Sequence, residues 1–148
     1  MNTIFDKTTR NELITRIKAL DENSTAQWGK MNLYQMVKHC VLWEEMMSSK
    51  LQCKRMLLGR FIGRMALKSA LKDDSPMMRN AITSPELIVK EYSGDIASEK
   101  KKWISHIEDY AHFSHTDFIH PFFGKMTKEQ IGYHAFKHTD HHLRQFNS

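Results

Sequence analysis

The C-terminal part of the sequence carries an unusual concentration of histidines. His134, His138, His141 and His142 account for four of the nine in the chain. If this segment is a helix, residues four apart lie on one face, with side chains about 5–6 Å apart. Two neutral imidazoles at that spacing can bind one divalent metal ion, as in other helical zinc sites. Spacing alone allows either His134 with His138, or His138 with His142, as the pair.

A metal site needs at least a third ligand, which a single helix does not easily supply. His39 lies among Met36, Trp43 and Met46 in an earlier apolar segment, and packing the two segments together would bring it opposite the pair. Taken alone, a histidine such as His39 beside apolar residues is more often a hydrogen-bonded core residue than a metal ligand. Cys40 points about 100° away from His39 on a helix and is expected to be a small buried apolar residue.

Apolar periodicity predicts the helices that position these side chains. Few Gly and Pro residues interrupt the chain, and we find no convincing strand. Capping boxes are expected at Thr9–Glu12, Asn32–Gln35 and Thr127–Gln130. Residues 73–85 contain two of the three prolines and should form an extended loop. The expected amphipathic helices run from about Thr8 to Leu20, from a cap at Asn32 onward, from about Lys54 to Leu71, from near Asp95, and from Thr127 to about Phe146.

Composition limits the class of protein. The 148 residues fit one domain, residues 1–148, and 41% hydrophobic with 26% charged residues is ordinary for a globular chain. Helices packed around one core predict an all-α bundle. The charged N-terminus is unlike a signal peptide, and no apolar run approaches the roughly 20 residues of a membrane span. Cys40 and Cys53 cannot form a disulfide framework, so we expect a cytoplasmic protein.

The net charge of +5 is concentrated in one segment. Residues 50–72 hold seven Lys or Arg and no acid, and four of them recur every four residues as a basic ridge, Arg60–Lys72. A solvated helix face is the ordinary interpretation, while an anionic substrate, nucleic acid or membrane surface is the alternative. There is little aromatic interleaving and no recognisable DNA-binding motif, which disfavours nucleic acid. Since a charged ridge is usually a solvated helix face, we expect neither nucleic acid nor a membrane as a partner. The apolar residues Leu57, Leu58, Phe61, Ile62 and Met65 should lie mainly on the other side.

Several motifs spread over nearly the whole chain resemble one protein family. They are Trp28-Gly-Lys-Met31, Gln35-Met-Val-Lys-His39-Cys40, Leu58-Gly-Arg-Phe-Ile-Gly63 followed by Pro76 and Asn80-Ala-Ile-Thr83, His120-Pro-Phe-Phe-Gly124, and Lys137-His138-Thr-Asp-His141-His142-Leu-Arg-Gln145-Phe146. The sequence resembles the DinB/YfiT-like superfamily of metal-dependent proteins. More narrowly, it resembles a branch described as a domain of unknown function.

The resemblance implies a fold and a ligand set. The superfamily fold is a four-helix bundle in up-down-down-up order, with one ligand on the second helix and an H-x-x-x-H pair on the last. His39, His138 and His142 match the ligand positions, and Gln145 matches the glutamine that follows them. The resemblance leaves His134 and His141 outside the ligand set.

Three histidine ligands leave coordination positions open, as in reactive rather than structural zinc sites. We expect zinc first, with nickel, iron or manganese as alternatives. The resemblance implies a thiol-dependent transferase, in which a metal-activated low-molecular-weight thiolate attacks an electrophilic small molecule. A metal-dependent hydrolase and a non-enzymatic protein binding an anionic partner through the basic ridge are the alternatives. The resemblance also allows a homodimer.

The segment before the last helix holds further candidates. His120 can support the ligands or contact substrate, and Phe122 and Phe123 can line a pocket. Equally, both phenylalanines can belong to the core while His120 caps the loop. Gln145, three residues after His142, is a candidate to orient that ligand or a bound water.

Overall fold

The computed structural model describes residues 1–114 and 117–148. Over these residues the protein is mostly helical, as predicted. Two short 3-10 turns, Pro85–Leu87 and Tyr110–His112, accompany the regular elements. The helices are α1 (Lys7–Ala19), α2 (Leu33–Met47), α3 (Leu57–Ala70), α4 (Ile96–Asp109) and α5 (Lys128–Gln145), and the strands are β1 (Ile119–His120) and β2 (Gly124–Lys125). None of the helices within the described ranges is long and apolar enough to cross a membrane.

The expectation of no strand is wrong. Strands β1 and β2 pair antiparallel, with Ile119 opposite Lys125 and His120 opposite Gly124. Gly124 has φ of +81°, a left-handed conformation that glycine adopts without strain, and this lets the chain reverse. Strands of two residues are too short to show an alternating pattern, so the sequence carried no periodic signal for them.

Helix starts follow the predicted capping chemistry at two of three places. Asn32 with Gln35, and Thr127 with Gln130, each form a reciprocal capping box. The box predicted at Thr9 and Glu12 is wrong, because α1 begins earlier, at Lys7, and its N-cap Asp6 makes no side-chain cap bond. The loop predicted over residues 73–85 contains no helix or strand before the turn at its end.

The core lies among four of the helices. Helices α2 and α4 pack along each other, and α1 lies against α4 and α5, while α5 also contacts α2. Their apolar stripes meet in one cluster of fully buried side chains that includes Leu13, Ile17, Met36, Val37, Cys40, Trp103, Ile107, Ile131 and Leu143. The contact between α2 and α5 is the one that positions the histidines.

Helix α3 packs differently from what its sequence predicts. Its buried residues are Gly59, Gly63 and Leu67. A Cβ at either glycine would overlap the carbonyl oxygen of Phe122, so the helix rests with its glycine face directly on the backbone of the loop between β1 and β2. The basic ridge is exposed, as predicted, but Leu57, Leu58, Phe61 and Met65 are exposed beside it instead of lying on the other side of the helix.

Candidate metal centre

Three buried histidines meet where α2 faces α5. His39 comes from α2, and His138 and His142 come from successive turns of α5. One ring nitrogen from each lies within 4.8 Å of the others. The ring centroids are 5.6 Å apart for His39 and His138, 5.0 Å for His39 and His142, and 4.7 Å for the α5 pair. The fold therefore brings together the three residues expected from the sequence, while metal binding by them stays a prediction.

A backbone carbonyl fixes the ring of His39. Its Nδ1 lies 2.9 Å from the carbonyl oxygen of Leu87, in the first 3-10 turn. A carbonyl oxygen only accepts hydrogen bonds, so Nδ1 carries the proton and Nε2 keeps its lone pair. This is the arrangement by which histidine ligands are oriented toward metals.

A side-chain amide fixes the ring of His142. The Nε2 of Gln145 donates to the carbonyl oxygen of Trp28 at 2.9 Å, which sets the orientation of the amide. Its Oε1 then accepts from Nδ1 of His142 at 2.8 Å. The Nε2 lone pair of His142 is thereby left free, and the predicted orienting role of Gln145 has a specific geometry.

An aromatic ring supports the third histidine. The ring of His138 stacks on the indole of Trp43, with centroids 4.0 Å apart and planes inclined by 11°. Trp43 lies on α2, one turn after His39, so the same helix supplies one candidate ligand and the platform for another.

Burial keeps the three imidazoles neutral. It lowers the pKa of His39, an effect that the bond to Leu87 partly offsets. The pKa values of His138 and His142 lie well below the ordinary value, first because of burial and then because neighbouring imidazoles disfavour further positive charge. Neutral, buried, oriented nitrogens are the form of histidine that binds metal ions. The donor set thus fits a divalent ion.

The remaining α5 histidines have other surroundings. His134 packs against Trp43 and His120, with centroids 5.5 and 5.4 Å away, and its ring lies 6.5 Å from that of His138. Burial lowers the pKa of His134 to about 4. His141 packs against the indole of Trp28 at 5.5 Å. Of the two pairs that the spacing allowed, only His138 with His142 belongs to the close group with His39.

His120 caps its own loop. Its Nδ1 accepts hydrogen bonds from the backbone N–H groups of Phe122 and Phe123, at 3.1 and 3.2 Å. Arg55 completes the loop by donating to the carbonyl oxygens of His120 and Pro121, both at 2.7 Å. Phe122 is half-buried, with its backbone under α3. The structure thus shows the hydrogen bonds of a loop cap at His120, while a role for His120 or Phe122 in contacting substrate stays a prediction.

A cavity of about 360 Å³ is lined in part by His141, whose ring centroid lies 5.1 Å from that of His142, while none of the three clustered histidines lines it. The guanidinium of Arg79 covers the indole of Trp28 at 4.1 Å, and the indole Nε1 is buried without a protein partner among the described residues. Arg79 was not among the residues predicted from the sequence, where its only signal was its place beside the Asn80-Ala-Ile-Thr83 motif. The cavity is lined by Trp28, Pro76, Met77, Arg79, His141, Arg144, Asn147 and Ser148.

A buried acid, Glu44, was also not predicted from the sequence. Glu44 is 2% exposed, and its Oε2 accepts from the hydroxyl of Tyr110 at 2.7 Å. Burial raises the pKa of Glu44 to about 8, and the bond to Tyr110 opposes this shift. The available signal was an acid between Trp43 and Met46 on an otherwise apolar stripe. A second cavity, of about 260 Å³, begins at Glu44 and opens toward the end of α4.

Fold and site together define a mostly helical protein with a buried three-histidine cluster suited to a divalent metal ion. The family described as protein of unknown function (DUF1569) matches residues 4–148, and the chain belongs to that family. No curated protein and no solved structure matches the chain.

Proposed function

We propose that the protein is a metal-dependent enzyme acting on a small molecule, and that His39, His138 and His142 hold one divalent ion, zinc in the first place. The observation that carries the proposal is the convergence of three buried ring nitrogens within 4.8 Å of one another. Three histidines leave a coordination position for a reactant. We further propose that the fold is a DinB/YfiT-like four-helix bundle in up-down-down-up order, as the sequence resemblance implies.

The proposed reaction is transfer of an electrophilic group to a low-molecular-weight thiol. An ion held by the histidines would lower the pKa of a thiol or water at the open position. In the transfer, the thiol loses its proton to solvent, its sulfur bonds to the electrophilic carbon, and the leaving group departs with its electron pair. The chain contributes by holding the Nε2 lone pairs of His39 and His142 in place through Leu87 and Gln145.

The cavity of about 360 Å³ offers a place where a small-molecule reactant could bind. Its lining includes the guanidinium of Arg79, a cation that suits a compact molecule bearing a carboxylate. Gln145 links this cavity to the cluster, because it bonds both the carbonyl of Trp28 and the ring of His142. His141 lines the same cavity and lies beside His142, with ring centroids 5.1 Å apart.

The test is a thiol-transfer assay with zinc-loaded protein, a chromogenic aryl halide, and cysteine or glutathione as the thiol. We expect turnover that chelation and His138→Ala both abolish. The control is His106→Ala, on α4 outside the cluster, which should keep the activity. Hydrolysis of a chromogenic ester by the zinc-loaded protein without thiol would replace the transferase by the hydrolase alternative. Absence of both activities with a full complement of zinc would contradict the proposed enzyme.

A further inference from the structure

Helix α3 exposes a row of large apolar side chains. Leu57, Phe61 and Met65 follow one another at four-residue spacing and are 71%, 80% and 69% exposed, and Leu58 beside them is 47% exposed. Residues four apart share one face of a helix, so these side chains form a continuous strip. Scattered exposed apolar residues need no explanation, but a contiguous strip marks an interaction surface.

The strip is bordered by cations. Three residues of the basic ridge each follow a residue of the apolar strip by three positions: Arg60, Arg64 and Lys68. This spacing places the basic ridge directly alongside the apolar strip. All three are exposed, as is Lys72 at the end of the helix. The surrounding segment, residues 50–72, contains seven Lys or Arg and no acid. Apolar and cationic side chains therefore share one outward face.

The packing of α3 presents this face outward. The helix rests on the loop between β1 and β2 through Gly59 and Gly63, whose missing side chains bring its backbone close to that of Phe122. Close seating through glycines covers only the narrow side that also holds Leu67. The wide face, with its large side chains, is left exposed.

We propose that α3 docks this face on an anionic lipid surface, with the apolar strip in the headgroup–acyl boundary and the basic ridge on the headgroups. A bilayer offers negative charge and an apolar layer side by side, which is what a face of Phe, Leu and Met next to Arg and Lys requires. This revises the expectation from the sequence that no membrane is a partner, because the structure places the apolar residues beside the ridge.

Other occupants fit less well. Pairing α3 with α3 of a second copy would bring two basic ridges together, and residues 50–72 of neither copy contain an acid to balance the charge. Nucleic acid would satisfy the cations but would leave the apolar strip facing a charged, hydrated backbone. The proposed docking is independent of the metal centre, since none of the three clustered histidines lies on α3.

The test is co-flotation of the protein with vesicles of phosphatidylcholine alone, and of equal parts phosphatidylcholine and phosphatidylglycerol. We expect binding to the anionic vesicles that falls with added salt and is much weaker on phosphatidylcholine. Phe61→Ser with Met65→Ser should weaken binding by at least about tenfold, since each removes apolar surface from the boundary. Arg60→Gln, Arg64→Gln and Lys68→Gln together should weaken it by at least as much.

Matched control variants test whether the loss of vesicle binding is specific to α3. Tyr92→Ser removes another side chain that is 77% exposed, and Lys18→Gln, Lys101→Gln and Lys125→Gln together remove three exposed cations elsewhere. Both should bind vesicles as the unaltered protein does. Circular dichroism should show equal helicity for all variants. The proposal is overturned if the unaltered protein ignores anionic vesicles, or if the controls lose binding as strongly as the α3 variants. It is also overturned if α3 instead mediates self-association or binding to a DNA duplex without binding vesicles.

Discussion

At the scale of single residues, the candidate metal centre depends on hydrogen bonds made away from the cluster. The ring of His142 is set by Gln145, and Gln145 is set by the carbonyl of Trp28 in a connector far away in sequence. The ring of His39 is set by the carbonyl of Leu87. Each bond fixes which nitrogen keeps its proton, so the free lone pairs are determined before any ion binds.

Gln145→Leu tests this orienting role. The substitution keeps side-chain volume while removing both hydrogen bonds, so the ring of His142 loses its fixed tautomer. We expect metal affinity to fall by about 10–100-fold with the ligands still present, as is typical when a residue supporting a ligand is changed. Competition titration with a chromogenic chelator measures this. The control is Gln27→Leu, an exposed glutamine in the connector, and equal affinity in both variants would contradict the role.

Only part of the candidate site could be predicted from the sequence. The spacing of the α5 histidines predicted a shared face, and resemblance selected His39, His138 and His142. The support from Leu87 could not be predicted, because a backbone carbonyl leaves no trace in residue type. Glu44 was missed because an acid on an apolar stripe has a structural role only once its partner Tyr110, on another element, is known.

At the scale of elements, α3 shows how residue type can mislead about orientation. Its apolar residues were predicted to lie on the side away from the basic ridge, yet its buried residues are Gly59, Gly63 and Leu67. Amphipathic periodicity identified the helix, but the buried side depends on which backbone approaches it. The capping boxes at Asn32 and Thr127 were predictable because both partners lie within one turn.

Gly63→Ala tests the close packing of α3. Helix propensity alone favours alanine by about 1 kcal/mol, but the added Cβ would overlap the carbonyl oxygen of Phe122. Because backbone must move to relieve the overlap, we expect a net loss of about 1–3 kcal/mol in the free energy of unfolding. Urea denaturation measures it, with Ser69→Ala on the exposed side of the same helix as the control. A more stable Gly63→Ala variant would show that α3 does not rest on this loop.

At the scale of the whole molecule, stability depends on pH through groups buried in uncharged form. Glu44 has a pKa of about 8 in the folded protein, against a usual value of 4.5. Between these values the folded state holds a proton that the unfolded state has lost, so its stability falls as pH rises. The buried histidines act oppositely: below about pH 6.5 the unfolded chain takes up protons that the folded state resists, so stability falls as pH falls.

Glu44→Gln isolates the contribution of the buried acid. The variant cannot ionise there, so its stability should lack the decline between about pH 4.5 and 8, which is at most about 1.4 kcal/mol per pH unit. Urea denaturation of metal-free protein across this range measures the difference from the unaltered chain. Glu22→Gln, at an exposed acid, should retain the original dependence. A difference between Glu44→Gln and the unaltered protein that stays constant with pH would contradict the buried neutral acid.

The central claim is that His39, His138 and His142 bind one metal ion, and metal content measures it most directly. The protein and five variants, prepared without a metal-binding tag, are compared by elemental analysis after exposure to zinc, with circular dichroism to confirm folding. We predict about one zinc per chain in the unaltered protein. His39→Ala, His138→Ala and His142→Ala should each lose it, because two protein ligands remain, whereas His134→Ala and His141→Ala should retain it because those rings lie outside the close group. Zinc retained by a folded His142→Ala variant but lost from a folded His134→Ala variant would contradict the assignment.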